Sequence, residues 1–425
     1  MSGVVAAHPS PRIHRARAIA AASIGNAFEW YDFSVFVLFA PYLAAAMFPG
    51  DSQTAGMVKT LLAFGVGFVA RPVGAILIGY FGDYAGRKAA LTLTFGLMAL
   101  GTLIIAVTPG HATIGAAAPI LVLVGRLLQG LSAGGEIGGA ASFLVEHAPA
   151  GRKAIYAAWL QASMAVSNIL GALVALAVGA AMSEATIAAW GWRVPFLFGL
   201  LIVPVGIWLR ATLDETPDFV AARSEEGRAP ILATLRQEGA NVARGFGISV
   251  LWGVSVYALV IFLPVHVQKA LGFSAREAFS AALVGNLLLI AASFVSGRLA
   301  DRIGRRTLMM ATAVALLVAT PILMALLVSV HALPMLIFAQ ASFCALVGLF
   351  AGAVPAILVE LFPTQVRSTG TSLAYNGALT LFGGFAPAII TWLSTTRLGP
   401  QAPAYYVSAS AVVALIAIAT FRRER

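Results

Sequence analysis

Gly79-Tyr80-Phe81-Gly82-Asp83-Tyr84-Ala85-Gly86-Arg87-Lys88 returns, without a gap, as Gly297-Arg298-Leu299-Ala300-Asp301-Arg302-Ile303-Gly304-Arg305-Arg306. In both copies two glycines, the Asp and two basic residues hold the same places. Each copy lies between two long apolar runs, after the second run of its half. A repeat at this spacing reads as two copies of one unit.

The composition says where such a unit lives. The chain has 425 residues, of which 60% are hydrophobic and 10% charged. A soluble domain carries about 25% charged residues. Apolar runs of about 20 residues match a bilayer core of about 30 Å, and we count about 12 of them. They are continuous rather than alternating, which predicts helices and not a barrel. The net charge of +10 does not point to nucleic acid, because it is distributed by side. About 20 Lys and Arg fall in the amino terminus, the even-numbered loops and the carboxyl terminus, against about 5 in the odd-numbered loops. That pattern predicts cytoplasmic termini. The single cysteine, Cys344, allows no disulfide within one chain. The first apolar run carries Glu29 and Asp32 and is not read as a cleaved leader.

The predicted spans of the first half are Ala18–Phe48, Met57–Gly82, Ala89–Thr108, Ile114–Glu146, Ile155–Met182 and Trp192–Thr212. Those of the second half are Phe246–Ala270, Arg276–Leu299, Leu308–Val330, Leu333–Leu361, Gly370–Thr395 and Pro403–Phe421. Between them lies the one long polar segment. We therefore expect an amino-terminal bundle over 1–213, a cytoplasmic linker over 214–244 and a carboxyl-terminal bundle over 245–425. Ile231 to Glu238 reads as a short interfacial helix within the linker. A second repeat is in register with the first: Glu146 before Arg152, and Glu360 before Arg367. The expectation is an all-α membrane protein of 12 transmembrane helices in two pseudo-symmetric six-helix bundles.

The repeated Gly-x-x-x-Asp-x-x-Gly-Arg-Lys/Arg loop resembles the signature of the major facilitator superfamily. Three further stretches narrow the resemblance: Gly25-Asn26-Ala27-Phe28-Glu29-Trp30-Tyr31-Asp32-Phe33, Arg71-Pro72-Val73-Gly74 and Arg126 to Glu136 with its Gln129-Gly130 core. Together they are similar to the metabolite:proton symporter family, which includes citrate, 2-oxoglutarate, shikimate and proline/betaine carriers. The resemblance implies a bacterial inner-membrane protein that uses a proton gradient and no cofactor. It implies a site near mid-membrane between the bundles.

Charge inside apolar runs supplies the candidate residues. A bare carboxylate in a bilayer costs about 2.5–3.5 kcal/mol on insertion scales. Glu29 and Asp32 therefore face a cavity, pair with a base, or carry a proton, and Glu136 is a third candidate. Burial favours the neutral form of a carboxylate, which suits a proton carrier. Arg71 and Arg126 are the only bases deep in the runs. Each needs an anion: Glu29, Asp32, Glu136 or a substrate carboxylate bound through two parallel hydrogen bonds. Asn26, Gln129, Gln161, Asn168, Tyr375 and Asn376 are candidate substrate contacts. Ser163, Ser167, Tyr257, Asn286 and Gln340 are weaker ones, since neutral polar residues in spans also bond helix to helix. Gly130, Gly134 and Gly138 recur every four residues, a spacing that lets another helix approach closely.

The repeated loops are expected to gate. Asp83 would face the positive amino-terminal end of a helix in the other bundle, and Arg87 would reach Glu146. Asp301 and Arg305 would do the same with Glu360. The histidines form no metal-ligand spacing, and no P-loop is present. We expect a monomer that binds a small anion, a proton and lipid, but no nucleic acid, and that is not an enzyme. Within the resemblance a di- or tricarboxylate fits two buried arginines better than a zwitterion such as proline or betaine, while shikimate-like acids, efflux and a non-transporting sensor stay open.

Overall fold

The computed structural model describes residues 26–27, 29–85, 87–134, 144, 148, 152–201, 203–204, 231–363 and 366–420. Among these every regular element is helical. The first half contains α1 (Glu29–Leu38 and Ala40–Met47), α2 (Gln53–Ala85), α3 (Arg87–Val107), α4 (Ala117–Ala133), α5 (Lys153–Ala181) and the opening turns of α6 (Val194–Gly199). The second half contains α7 (Ile231–Ser255, running on to Leu271), α8 (Ala275–Ile303), α9 (Arg305–Ser329), α10 (Leu333–Ala351 and Val354–Glu360), α11 (Arg367–Ala378, running on to Leu393) and α12 (Ala402–Ala419). This is the twelve-helix layout that the apolar runs predict, though α3 and α4 present shorter apolar stretches, Thr92–Val107 and Ala117–Ala133.

Four spans depart from the straight rods that hydropathy suggests. α1 bends by 65° between Leu38 and Ala40. Pro41 follows the bend, and a proline removes a backbone donor and favours a fresh helix start. α7 and α11 each contain a wide π turn, Val256–Phe262 and Leu379–Gly383. α10 breaks at Gly352 and restarts with Pro355 in its first turn. The expected short helix at Ile231 is present but joined to α7, with a break in helical geometry at Glu238 (φ −114°, ψ 18°). The part of the linker from 214 to 230 lies outside the described residues.

Small residues set how closely the helices pack. α2 lies against α4, which in turn lies against α3. A Cβ on Gly130 would overlap the Gly67 carbonyl, and one on Gly134 would overlap the Arg71 carbonyl. With no hydrophobic drive between helices in lipid, such backbone approach is what holds them together. Gly138 lies outside the described residues. In the second half α8 packs on α10, and α7 packs on α11 and α12.

The two halves meet along two seams, α5 against α8 and α2 against α11. On the second seam the Gly65 Cα leaves room for the Phe385 ring, and Gly384 does the same for Phe68. Thr380 donates to the Phe68 carbonyl at 2.9 Å and Asn376 Nδ2 to the Gly134 carbonyl at 3.2 Å.

Candidate substrate and proton site

α1, α2 and α4 carry four of the five charged side chains predicted to lie in apolar surroundings. Glu29, Asp32, Arg71 and Arg126 are all 2% exposed or less. Arg71 Nη2 stands 3.6 Å from Glu29 Oε1, too long and without the geometry for a hydrogen bond. Neither carboxyl oxygen of Glu29, and none of the three guanidinium nitrogens of Arg71, has a hydrogen-bond partner among the described residues.

The second pair is linked through an amide. Arg126 Nη1 donates to Gln129 Oε1 at 2.6 Å, one turn along α4. Gln129 Nε2 then donates to Asp32 Oδ2 at 3.2 Å and to Thr102 Oγ1 at 2.9 Å. The Thr102 hydroxyl, from α3, donates to the same Asp32 oxygen. Asp32 Oδ1, Arg126 Nε and Arg126 Nη2 have no hydrogen-bond partner among the described residues.

Besides these acids, aromatic rings surround both arginines. The Arg71 Cζ lies 4.5 Å from the Phe68 ring centre, 4.8 Å from Phe33 and 5.8 Å from Trp30. The Arg126 Cζ lies 4.6 Å from both Phe33 and Phe36 and 4.8 Å from Phe64. A desolvated cation–π contact contributes about 2 kcal/mol. It leaves the in-plane N–H donors unmade, at about 1–3 kcal/mol for each buried group. This packing thus tolerates two guanidinium groups while leaving their donor edges without hydrogen-bond partners among the described residues.

Aromatic side chains of the second half pack over this cluster. Tyr257, from the π turn of α7, stacks on Trp30 at 5.8 Å and meets the Phe68 ring edge-on at 5.2 Å. Its hydroxyl has no hydrogen-bond partner among the described residues. Trp252 packs on Tyr375 at 4.8 Å, and its indole N–H donates to Gln161 Oε1 on α5 at 2.9 Å.

The other predicted contacts sit elsewhere in the packing. Asn26 Nδ2 donates to Ser163 Oγ at 2.7 Å, within the first half. Asn168 accepts from Ser34 and donates to Asn286 at 3.3 Å, bridging α5 and α8. A void of about 10 Å³ borders these three residues. Gln340 donates to the Leu259 carbonyl at 2.9 Å, beside the π turn of α7. Glu136 lies outside the described residues.

At the end of the molecule that carries the repeated loops, the second copy closes the α5–α8 seam. The Asp301 carboxylate accepts from the backbone N–H groups of Ala154 (3.2 Å) and Ile155 (3.3 Å), in the first turn of α5. The helix dipole favours a negative charge there. Arg305 Nη2 lies 3.4 Å from Asp301, and Arg305 Nη1 contacts Glu360. Lys153 of the other half lies 3.9 Å from Glu360. Gly297 permits this approach, since a Cβ there would come within 2.7 Å of the Ile155 Cα. A cavity of about 890 Å³ opens beside the cluster. In the first copy the side chains of Asp83 and Arg87, and all of Glu146, lie outside the described residues.

Sequence reasoning found the charged groups and Gln129 but not Thr102, Trp252 or the rings of Trp30, Phe33, Phe36, Phe64 and Phe68. Phenylalanines are common in any span, so only their three-dimensional convergence on two guanidinium groups distinguishes these. Thr102 looks like one more small residue in α3 until Asp32 is placed beside it.

Comparison with known proteins agrees with this architecture. The model of the family described as "Sugar (and other) transporter" matches residues 18–246, and that of the Major Facilitator Superfamily matches residues 281–425. A citrate-proton symporter of Klebsiella pneumoniae is 39% identical over 95% of this chain and 91% of its own. The proline/betaine transporter of Escherichia coli strain K12 is 31% identical over 96% of this chain and 83% of its own. The fold matches the partially occluded, inward-open structure of the xylose transporter XylE from E. coli with a TM-score of 0.78, at 15% identity over 95% of this chain and 96% of that one. The chain is a multi-pass membrane protein of the major facilitator superfamily and, within it, of the metabolite:proton symporters.

Proposed function

We propose that the protein takes up a small di- or tricarboxylate, such as citrate or 2-oxoglutarate, together with protons, across the bacterial inner membrane by alternating access. One observation carries the reading. Two fully buried guanidinium groups, Arg71 and Arg126, hold unpartnered N–H donors among rings contributed by both halves. Arginine's planar fork matches a carboxylate with two parallel bonds. The relationship to the citrate-proton symporter supports the same substrate class.

The cycle follows from the pairing. Glu29 and Asp32 hold the arginines in the empty state. A substrate carboxylate takes the open donors of each arginine, and a proton neutralises the acid whose counter-charge the substrate has replaced. Closure of the rings of Tyr257 and Tyr375 over the site joins occupancy of the first half to movement of the second. The Asp301–Arg305–Glu360 cluster seals the cytoplasmic end in this state, and its release opens the site inward. Both termini face the cytoplasm, and the protein acts as a monomer.

A zwitterionic substrate is the second reading, favoured by the relationship to the proline/betaine transporter. A quaternary ammonium group binds best over aromatic faces. Here Phe33, Phe68, Phe36 and Phe64 already face the protein's own guanidinium groups, which favours the carboxylate reading. Uptake into proteoliposomes of citrate, 2-oxoglutarate, shikimate and proline, run side by side, separates the two. Uptake of a di- or tricarboxylate is the expected result. Uptake of proline alone overturns it, and ligand binding without any uptake points to a sensor.

A further inference from the structure

The number of protons moved with each substrate follows from charge balance around the two arginines, and this inference rests on the carboxylate reading above. Glu29, Asp32, Arg71 and Arg126 are arranged as two separate units. In one, Arg71 faces Glu29 directly at 3.6 Å. In the other, Gln129 joins Arg126 (2.6 Å) to Asp32 (3.2 Å). Phe33 lies between the units, its ring centre 4.8 Å from the Arg71 Cζ and 4.6 Å from the Arg126 Cζ. It keeps two like charges apart and gives each arginine its own acid.

Among the described residues the titratable neighbours of the two units are phenols; Glu136 lies outside them. Tyr31, beside Asp32, donates to the Pro195 carbonyl at 3.0 Å; Tyr257 of α7 packs on the Trp30 and Phe68 rings that face Arg71, and Tyr375 of α11 packs on Trp252. Phenols are uncharged near pH 7. With both acids ionised, these four side chains carry no net charge.

We propose that each unit exchanges one substrate carboxylate for one proton, so that a divalent carboxylate moves with two protons and no net charge. When a substrate carboxylate takes the open N–H donors of Arg71, Glu29 loses its counter-charge yet stays buried. A buried carboxylate without a cation is too costly to persist, so Glu29 binds a proton and becomes neutral. Asp32 does the same when substrate takes Arg126. The loaded site then holds two guanidinium groups, two substrate carboxylates and two neutral acids, and is neutral again. Neither the loaded nor the empty protein carries charge across the membrane. The substrate class is a dicarboxylate dianion, or a tricarboxylate with one carboxyl group protonated. A monocarboxylate fills one unit and brings one proton.

The test uses the full-length protein in proteoliposomes, with potassium and valinomycin setting the membrane potential and labelled citrate and 2-oxoglutarate as probes. An inside-negative potential should leave the initial uptake rate unchanged. A gradient of one pH unit should support about hundredfold accumulation of the dianion, since each of two protons contributes a factor of ten. Acceleration by the potential means more than two protons, and slowing means fewer. Either result, or accumulation of only about tenfold, overturns the proposal. A second measurement does not need transport. A pH-indicator dye counts protons bound per 2-oxoglutarate, already a dianion in solution, by the purified protein: two for the wild type, one for Glu29→Gln and one for Asp32→Asn. A wild-type count of one or none overturns the proposal, as does a count of two in either variant. If no carboxylate is bound or taken up, the parent reading falls and this one with it. A wrong count with intact uptake removes this one alone.

Discussion

Arg71 and Glu29 face one another at 3.6 Å in the buried centre of the first half, with no hydrogen bond between them. A firmly bonded pair would be a structural clamp. A loose one leaves the guanidinium donors open to a second carboxylate. Removing either partner of a buried pair strands the other, so the informative substitution keeps the charge. Arg71→Lys and Arg126→Lys should each raise KM for the carboxylate by about 10–100-fold, because an ammonium neither stacks on the rings nor forks onto a carboxylate. Uptake kinetics in proteoliposomes check this, and KM within threefold of wild type would remove the arginines from the site.

Tyr257→Phe separates a substrate contact from a packing role. The Tyr257 hydroxyl has no hydrogen-bond partner among the described residues, so its loss should leave Tm unchanged or slightly higher. If the hydroxyl meets the substrate, KM should rise about five- to tenfold, the value of about 1 kcal/mol for one hydrogen bond. A fall in Tm with unchanged KM would assign Tyr257 to packing instead.

The α2–α4 contact makes a stability prediction. Gly134→Val places side-chain atoms against the Arg71 carbonyl, and backbone cannot yield as a flexible side chain does. Overpacking costs about 1–3 kcal/mol even where neighbours can shift. The monodisperse fraction in gel filtration should fall sharply. Gly96→Ala, whose Cβ would meet nothing within 4 Å, should match the wild type.

Asp301→Asn removes the charge that faces the first turn of α5. A carboxylate at a helix amino terminus contributes about 0.3–1 kcal/mol, more when partly buried. Uptake should drop severalfold while the amount of inserted protein stays constant. Wild-type kinetics in this variant would rule out a gating role for the second repeated loop.

What could be read from the sequence divides by how rare each signal is in an apolar chain. Asp301 and Arg305 were legible because their loop occurs twice, and Glu29, Asp32, Arg71 and Arg126 because charge inside an apolar run is costly. Gln129 came with the motif around Arg126. The rings of Phe33 and Phe68 were not legible, since nothing in a hydropathy profile separates a ring under a guanidinium from a ring against lipid. The bend after Leu38 and the π turns of α7 and α11 were also hidden. Apolar runs report burial in a bilayer and are blind to local changes of helical pitch, although Pro41 was a clue to the first. Asn168 and Asn286 show the converse limit. Their polarity marked them as candidate contacts, and the structure uses them to tie α5 to α8.

The most direct test of the central claim is the initial rate of labelled citrate uptake by proteoliposomes under an acid-outside pH gradient, with and without a protonophore. The account predicts concentrative uptake by the wild type that the protonophore abolishes, and strongly reduced uptake by Arg71→Lys and Arg126→Lys at substrate concentrations near the wild-type KM. Citrate uptake that is indifferent to the gradient, or that survives loss of both guanidinium groups, would contradict it.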